Sequence, residues 1–282
     1  ENNEIERLYQ WTNPLARSWD NDYVDFYGIG HIFRNNYFHG STFEETRLGG
    51  FDSHTDGFQS SPSSATVENI IIENNIIEGF GQGILLNNNH PTELYIRNVT
   101  IRNNVIGKGY GASSLATKAI GSEAGQDIKI YNNVIFDTYD GISLTDSINN
   151  PGVGATGAVQ NNLFYNISMR GMMIEDGSVI THNNNLYYLV QYPLRIDNVI
   201  VSPGATNLVG QNPLLQNPHN PAGSDGIPFT SDDGYILQTG SPAINAGANL
   251  AGIVDKDILG NSRPQGTEWD IGVYEYTAEE TP

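Results

Sequence analysis

An asparagine pair followed by two apolar residues recurs along this chain, and the interval between its copies limits the fold more than any other feature. The copies are Asn35-Asn36-Tyr37-Phe38, Asn74-Asn75-Ile76-Ile77, Asn103-Asn104-Val105-Ile106, Asn132-Asn133-Val134-Ile135 and Asn161-Asn162-Leu163-Phe164. From Asn74 through Asn103 and Asn132 to Asn161 the interval is 29 residues each time. A fixed period of that length marks a solenoid, in which each repeat buries its apolar side only by stacking on the next.

Superposing the copies gives columns. Two positions before each pair stand Phe33, Ile72, Ile101, Ile130 and Val159, all apolar; one position before stand Arg34, Glu73, Arg102, Tyr131 and Gln160, all polar or amphipathic. Inward apolar beside outward polar is the period of a strand. A second strand follows each pair, as in Gly83-Ile84-Leu85-Leu86, Gly141-Ile142-Ser143-Leu144 and Gly171-Met172-Met173-Ile174. Ala119-Ile120-Gly121-Ser122 fits the remaining copy if its turn carries seven extra residues. No stretch shows helical period over a dozen residues, which removes the helices that a TIM barrel or a Rossmann layout requires. The pattern predicts an all-β, right-handed parallel β-helix with rungs about 4.8 Å apart. The asparagines have two structural uses, amide ladders between rungs and left-handed turns, and neither is catalytic.

Residues 1–204 are assigned to this coil, with 1–22 as an irregular lead-in around Trp11, Pro14 and Trp19; residues 205–282 form a closing segment packed on the last rungs. That segment contains Gly240-Ser241-Pro242-Ala243-Ile244-Asn245-Ala246-Gly247, then Asp257-Ile258-Leu259-Gly260-Asn261-Ser262-Arg263-Pro264 and Asp270-Ile271-Gly272-Val273-Tyr274-Glu275. The succession resembles the C-terminal segment of secreted bacterial parallel β-helix proteins, polysaccharide-degrading ones among them. Physically, a solenoid needs its last edge covered, or that edge will pair with another chain.

Charge narrows the partners. Formal net charge is -19 with only 13 basic residues, so nucleic acid and anionic membrane are repelled. The chain has no cysteine, which excludes disulfides, thiolate metal sites and thiol nucleophiles. No apolar run reaches about 18 residues, the length of a spanning helix. Abundant Asn, Gly, Ser and Thr without cysteine fits a secreted protein, and no signal peptide opens the sequence.

The beat breaks between Asn35 and Asn74, an interval of 39 residues, and the surplus contains Phe51-Asp52-Ser53-His54-Thr55-Asp56-Gly57-Phe58-Gln59. Solenoid insertions gather on one side, often the binding side. In an extended segment Asp52, His54 and Asp56 share a face; the plain alternative is a loop whose Asp and Ser make turns. Alignment then yields a column of Asp56, Gln82, Lys118, Asp140 and Arg170, with Gln59 three positions on and Glu123 and Glu175 five positions on in their copies. Two scarce cations in one column could hold an anionic substrate, or could simply form a surface charge ladder.

Asp52-Ser53-His54 resembles the Asp-Pro-His motif of mannuronan C5-epimerases, which implies active-site roles for Asp52 and His54, with serine in place of the proline. The basic column resembles that of polysaccharide lyases, which implies Lys118 as base, Arg170 as carboxylate neutraliser, and calcium as a frequent cofactor. Asp140 between the two cations counts against that division of roles. Both families begin by removing the C5 proton of a uronate, which needs a neutralised carboxylate and a nearby base. Calcium on Asp52 and Asp56 would suit the first need and His54 the second. The expected activity is therefore a polysaccharide lyase on an extracellular acidic polysaccharide, with His54, Asp56, Lys118, Asp140 and Arg170 catalytic, and Gln59, Gln82, Glu123 and Glu175 binding substrate. C5-epimerisation comes next. Inverting hydrolysis follows, since Glu123 and Glu175 lie two rungs apart, about 9.6 Å. A non-catalytic adhesive β-helix is the reading from another class.

Overall fold

The computed structural model describes residues 1–6, 22–41, 55–62, 64–88, 90, 93, 95–109, 117–147, 149 and 151–277. Among them the chain winds as a coil with three faces, and strands of the same phase pair in parallel from rung to rung. The first face holds Val67–Glu73, Ile96–Arg102, Gln126–Tyr131, Thr156–Gln160 and Val179–Asn183, with Ile32–Arg34 ahead of them. The second holds Glu4–Glu6, Tyr37–His39, Ile76–Glu78 and Val105–Gly107. The third holds Val24–Asp25, Asp56–Ser60, Gln82–Asn87 and Lys118–Glu123. In the last three rungs the second and third faces run together as Val134–Thr145, Leu163–Ile174 and Leu186–Ile196. Register shifts at Thr138/Asp140 and Ile167/Arg170 mark the corner, where an extra residue lets a strand bend.

Register follows the columns. Phe33, Ile72, Ile101, Ile130 and Val159 pair in succession and point inward, and Ile72, Ile101, Ile130 and Val159 are fully buried. Phe38, Ile77, Ile106, Ile135, Phe164 and Tyr187 fill the coil from the second face; Phe58, Ile84, Ile120, Ile142, Met172 and Leu194 fill it from the third. Each such side chain contributes about 1.5–3 kcal/mol over its exposed state. Because every rung supplies the same few, stability is spread along the axis.

The two asparagines of each pair divide the labour. The first takes a left-handed backbone, with φ of 56°, 55°, 53°, 52° and 60° at Asn35, Asn74, Asn103, Asn132 and Asn161, a conformation asparagine tolerates better than most residues. The second turns its amide inward. Each Nδ2 donates to the Oδ1 of the next rung, from Asn36 to Asn75 at 2.8 Å, Asn75 to Asn104 at 3.0 Å, Asn104 to Asn133 at 3.0 Å and Asn133 to Asn162 at 3.0 Å. The ladder also reaches three rungs absent from the aligned pairs: Asn3 at the start, and Asn185 and Asn207 at the end. The lead-in expected at 1–22 is thus partly wrong. Glu4–Glu6 is a regular strand pairing with Tyr37–His39, hidden because the interval between the two copies is 33 residues and not 29. Trp11, Pro14 and Trp19 lie outside the described residues.

Residues 210–277 do not stop at the last rungs. They run back along the second face, covering its outward row of Ile76, Val105, Val134, Leu163 and Leu186 with Leu215, Tyr235, Leu237, Ile258, Ile271 and Val273. The left-handed asparagines fasten this segment: Asn184 Nδ2 donates to Ala246 O, Asn161 to Ala248 O, Asn132 to Asp270 O and Gly272 O, and Asn103 to Lys256 O. The residues that carried the C-terminal resemblance form its fastening. Arg263 and Glu275 are fully buried and 2.7 Å apart. Arg263 also donates to the carbonyls of Asp270 and Gly272, and Glu275 accepts from the backbone of Gln265 and Asp270.

Candidate functional site

The third face carries the predicted column, and the pairing reproduces it residue by residue. Asp56 pairs with Gln82, Gln82 with Lys118, Lys118 with Asp140, and Asp140 with Arg170; Tyr192 extends the row by one rung. The seven extra residues before Lys118 therefore leave the strand in phase. Beside this row runs a second, Gln59, Leu85, Gly121, Ser143, Met173 and Arg195, and then a third that includes Asn87, Glu123 and Thr145. Glu175 follows Thr145 in that third row, since its N–H donates to Leu144 O. The three rows run side by side along the third face of the coil.

Its charges are not equally available. Arg170 clasps Asp140 with two hydrogen bonds, Nε to Oδ1 at 2.7 Å and Nη2 to Oδ2 at 2.5 Å, and this pairing raises the guanidinium's proton affinity. Arg195 is 2.5 Å from Glu175, which also accepts from the N–H of Asn198. Arg170 as free neutraliser of a substrate carboxylate does not agree with this geometry: a bidentate pair with a largely buried carboxylate would have to break first. Nor is Asp140 free to move a proton while it holds two guanidinium contacts. Glu175 is committed to Arg195 in the same way, which weakens the Glu123/Glu175 hydrolytic pair.

Lys118 is different. Among the described residues no salt bridge engages it. Its stem lies along the strand over Gly121, where a Cβ would meet Lys118 Cε at 2.9 Å and Cδ at 3.0 Å. That glycine has an ordinary backbone, so the close approach of the lysine is what its missing side chain permits. The ammonium is thereby carried towards Glu123, whose carboxyl feels its charge. Burial pushes the Glu123 carboxyl above the usual range, Lys118 draws it back down, and Asp146 raises it further. Asn87, the neighbour of Glu123 on the preceding rung, has a buried Oδ1 without a hydrogen-bond partner. Buried acceptors are normally satisfied, so this one is ready for a ligand's hydroxyl.

The other predicted residues divide. Asp56 is fully buried at the start of the row, Gln82 is nearly so, and Gln59 is half-buried with its amide 3.3 Å from Ser61 Oγ. Asp52 and His54, with the motif they share with Ser53, lie outside the described residues. No group of three His, Asp or Glu stands ready to hold a metal among the described residues; of the two expected calcium ligands only Asp56 is described. Asn87, Gly121, Thr145 and Asp146 were not among the residues expected at the site. The signal for Gly121 was present, as the one glycine in its row.

Comparison with known proteins adds the fold and little more. The family described as "Right handed beta helix region" matches residues 24–190, more than half of the chain. No curated protein matches.

Proposed function

We propose that this chain, which belongs to the right-handed β-helix family, binds an extracellular acidic polysaccharide along its third face and cleaves it by β-elimination at Lys118 and Glu123. The observation that supports this best is a cation engaged in no salt bridge among the described residues, set beside a carboxyl whose proton affinity burial has raised, over a floor kept open by Gly121. In the reaction the Lys118 ammonium faces the uronate carboxylate and withdraws charge from it, which acidifies the C5 proton. Glu123, ionised, takes that proton, and burial makes it a stronger base than a surface carboxylate. The C5–H electron pair becomes the C4=C5 bond as the C4–O bond breaks, and Glu123 returns the proton to the departing oxygen. Asn87, Thr145 and Gln82 stand on the face where neighbouring sugars hydrogen-bond. Lys118 thus changes role from the expected base to the neutraliser, since Arg170 is held by Asp140.

Non-catalytic polysaccharide binding is the second reading. What favours it is that four charged groups of the face, Asp140, Arg170, Glu175 and Arg195, are spent on each other. The test is incubation with polygalacturonate, alginate and glycosaminoglycans while following ultraviolet absorbance of the conjugated double bond. Signal on one of them, lost by about 10²–10⁴-fold in Glu123→Gln and Lys118→Ala, supports elimination. Binding without absorbance on any substrate supports the second reading. Solvent deuterium entering C5 without cleavage shows epimerisation, which shares the first step.

A further inference from the structure

The column of left-handed asparagines points to a second binding site, on another side of the molecule. From Asn103 to Asn184 each amide of that column holds a backbone carbonyl of the C-terminal segment. Asn74 makes no such bond, and among the described residues the amides of Asn2 and Asn35 reach no protein group either. They open instead into a cavity of about 400 Å³ between the first rung and the segment. Its wall also includes Glu4, Tyr37, Phe229 and Leu259. We propose that this cavity binds a neutral sugar residue.

The chemistry of the lining selects that ligand. The amides offer donors to oxygen acceptors, as the same column does to segment carbonyls from Asn103 onward. Tyr37, stacked on His39 with centroids 4.0 Å apart, and Phe229 offer apolar faces for the C–H side of a pyranose ring. Glu4, bonded to His39 at 2.8 Å, has a second oxygen to accept from ring hydroxyls. Glu78 near the Tyr37 hydroxyl is offset by Lys108 at 2.9 Å, but Glu4 and Asp233 also act on Tyr37, so the surroundings favour a neutral ligand over a uronate. This site therefore differs in charge preference from the third face.

Phe229 supplies independent support. Its φ is 67°, a left-handed conformation that a bulky residue adopts only under constraint, and such strain gathers at ligand clamps. The constraint is visible: Asp233 Oδ2 accepts the N–H groups of Phe229 and Thr230 and the hydroxyl of Tyr274. A glycine would suit that backbone better, and the phenyl ring it would lack is what faces the cavity.

The experiment is ligand-observed saturation-transfer NMR on the full chain with methyl glucoside, methyl galactoside and N-acetylglucosamine, with glucuronate as the charged counterpart. A cavity of this size and openness predicts saturable, millimolar binding of at least one neutral sugar, with glucuronate at least about tenfold weaker. Asn35→Gly keeps the left-handed backbone and removes the amide, and Phe229→Gly removes the ring; each should weaken binding about tenfold or more while the circular dichroism spectrum is retained. Saturable binding by none of the three neutral sugars overturns the proposal. So does binding that survives both substitutions, or glucuronate binding equal to that of the neutral sugars. Response of the third face to polyuronates is read separately by absorbance, so either proposal can fail alone.

Discussion

Replacing Asn133 by alanine tests whether the amide ladder holds the coil together. Asn133 Nδ2 donates to Asn162 Oδ1 at 3.0 Å and to Ile101 O at 2.9 Å; its Oδ1 accepts from Asn104 N at 2.9 Å and Asn104 Nδ2 at 3.0 Å. All of these groups are buried. Alanine leaves two of them without partners, the Asn104 N–H and one Asn104 amide hydrogen, while the Ile101 carbonyl keeps its place in the parallel ladder with Tyr131. Asn162 Oδ1 keeps the backbone N–H of residue 133, so it is not stranded. At about 1–3 kcal/mol per orphaned buried group, the cost is roughly 2–5 kcal/mol, allowing for some relaxation. Asn207→Ala, at the ladder's end, strands the Asn185 N–H, one of its amide hydrogens and the buried Pro203 carbonyl, and should cost a similar few kcal/mol. The measurement is urea unfolding followed by far-ultraviolet circular dichroism, with both variants and wild type at one pH. The double variant Asn104→Ala/Asn133→Ala should fall short of the sum of the singles by about 1–3 kcal/mol, because removing the Asn104 amide removes one of the groups that Asn133→Ala strands. A loss below about 1 kcal/mol for Asn133→Ala, or strict additivity in the double variant, would refute the ladder as a source of stability.

Four further outcomes follow from the site and the fastening. Gly121→Leu should push Lys118 off its strand and abolish turnover or binding on the third face, with unfolding changed by less than about 1 kcal/mol, as measured by the absorbance assay and by urea titration. Glu275→Gln leaves the Arg263 guanidinium buried without its counter-charge and should cost about 3–5 kcal/mol, read as earlier unfolding and as faster proteolysis within 210–277. Asp233 and Asp270 are both pushed up to about 6, mainly by burial, from about 3.9 in the unfolded chain. Each therefore binds a proton on folding between those values, so its contribution to stability is greatest below about pH 4 and declines as pH rises through about 6. Thermal midpoints should be higher at pH 5 than at pH 7.5, and Asp233→Asn should flatten that slope; an unchanged slope counts against the assignment. Arg170→Met should leave Asp140 buried without its partner and destabilise the chain by about 3–5 kcal/mol, whereas an exposed substrate contact would alter only kcat/KM.

The coil was legible in the sequence because its rungs repeat the same physics at the same phase. The register from Asp56 to Arg170 could be read across insertions since each strand begins beside a glycine or alanine that the neighbouring rung's carbonyl crowds, as at Gly83, where a Cβ would lie 2.5 Å from Ala119 O. The rungs of Asn3, Asn185 and Asn207 escaped because their intervals depart from 29 residues, to 33, 23 and 22, and a period sought at one value misses its variants. Which charges were free was not legible at all. Lys118, Asp140 and Arg170 stand in one column at equal spacing, and only side-chain geometry shows Arg170 turned to Asp140 and Lys118 turned along its own strand. The cavity at Asn2 and Phe229 lay further still from view, since it joins residues more than 200 positions apart.

The long return of the C-terminal segment sets a clock on biosynthesis. Asn132 is fastened to Asp270, 138 residues later. At about 5–20 residues per second, a ribosome needs roughly 7–28 s to make the second after the first. During that interval the row of Ile76, Val105, Val134 and Leu163 faces outward on a coil that can already stack. The chain thus emerges with its stickiest flank bare and its own cover still unmade. Chaperone capture and aggregation compete with self-sealing over those seconds, and substitutions in 240–275 should be felt first as lost yield.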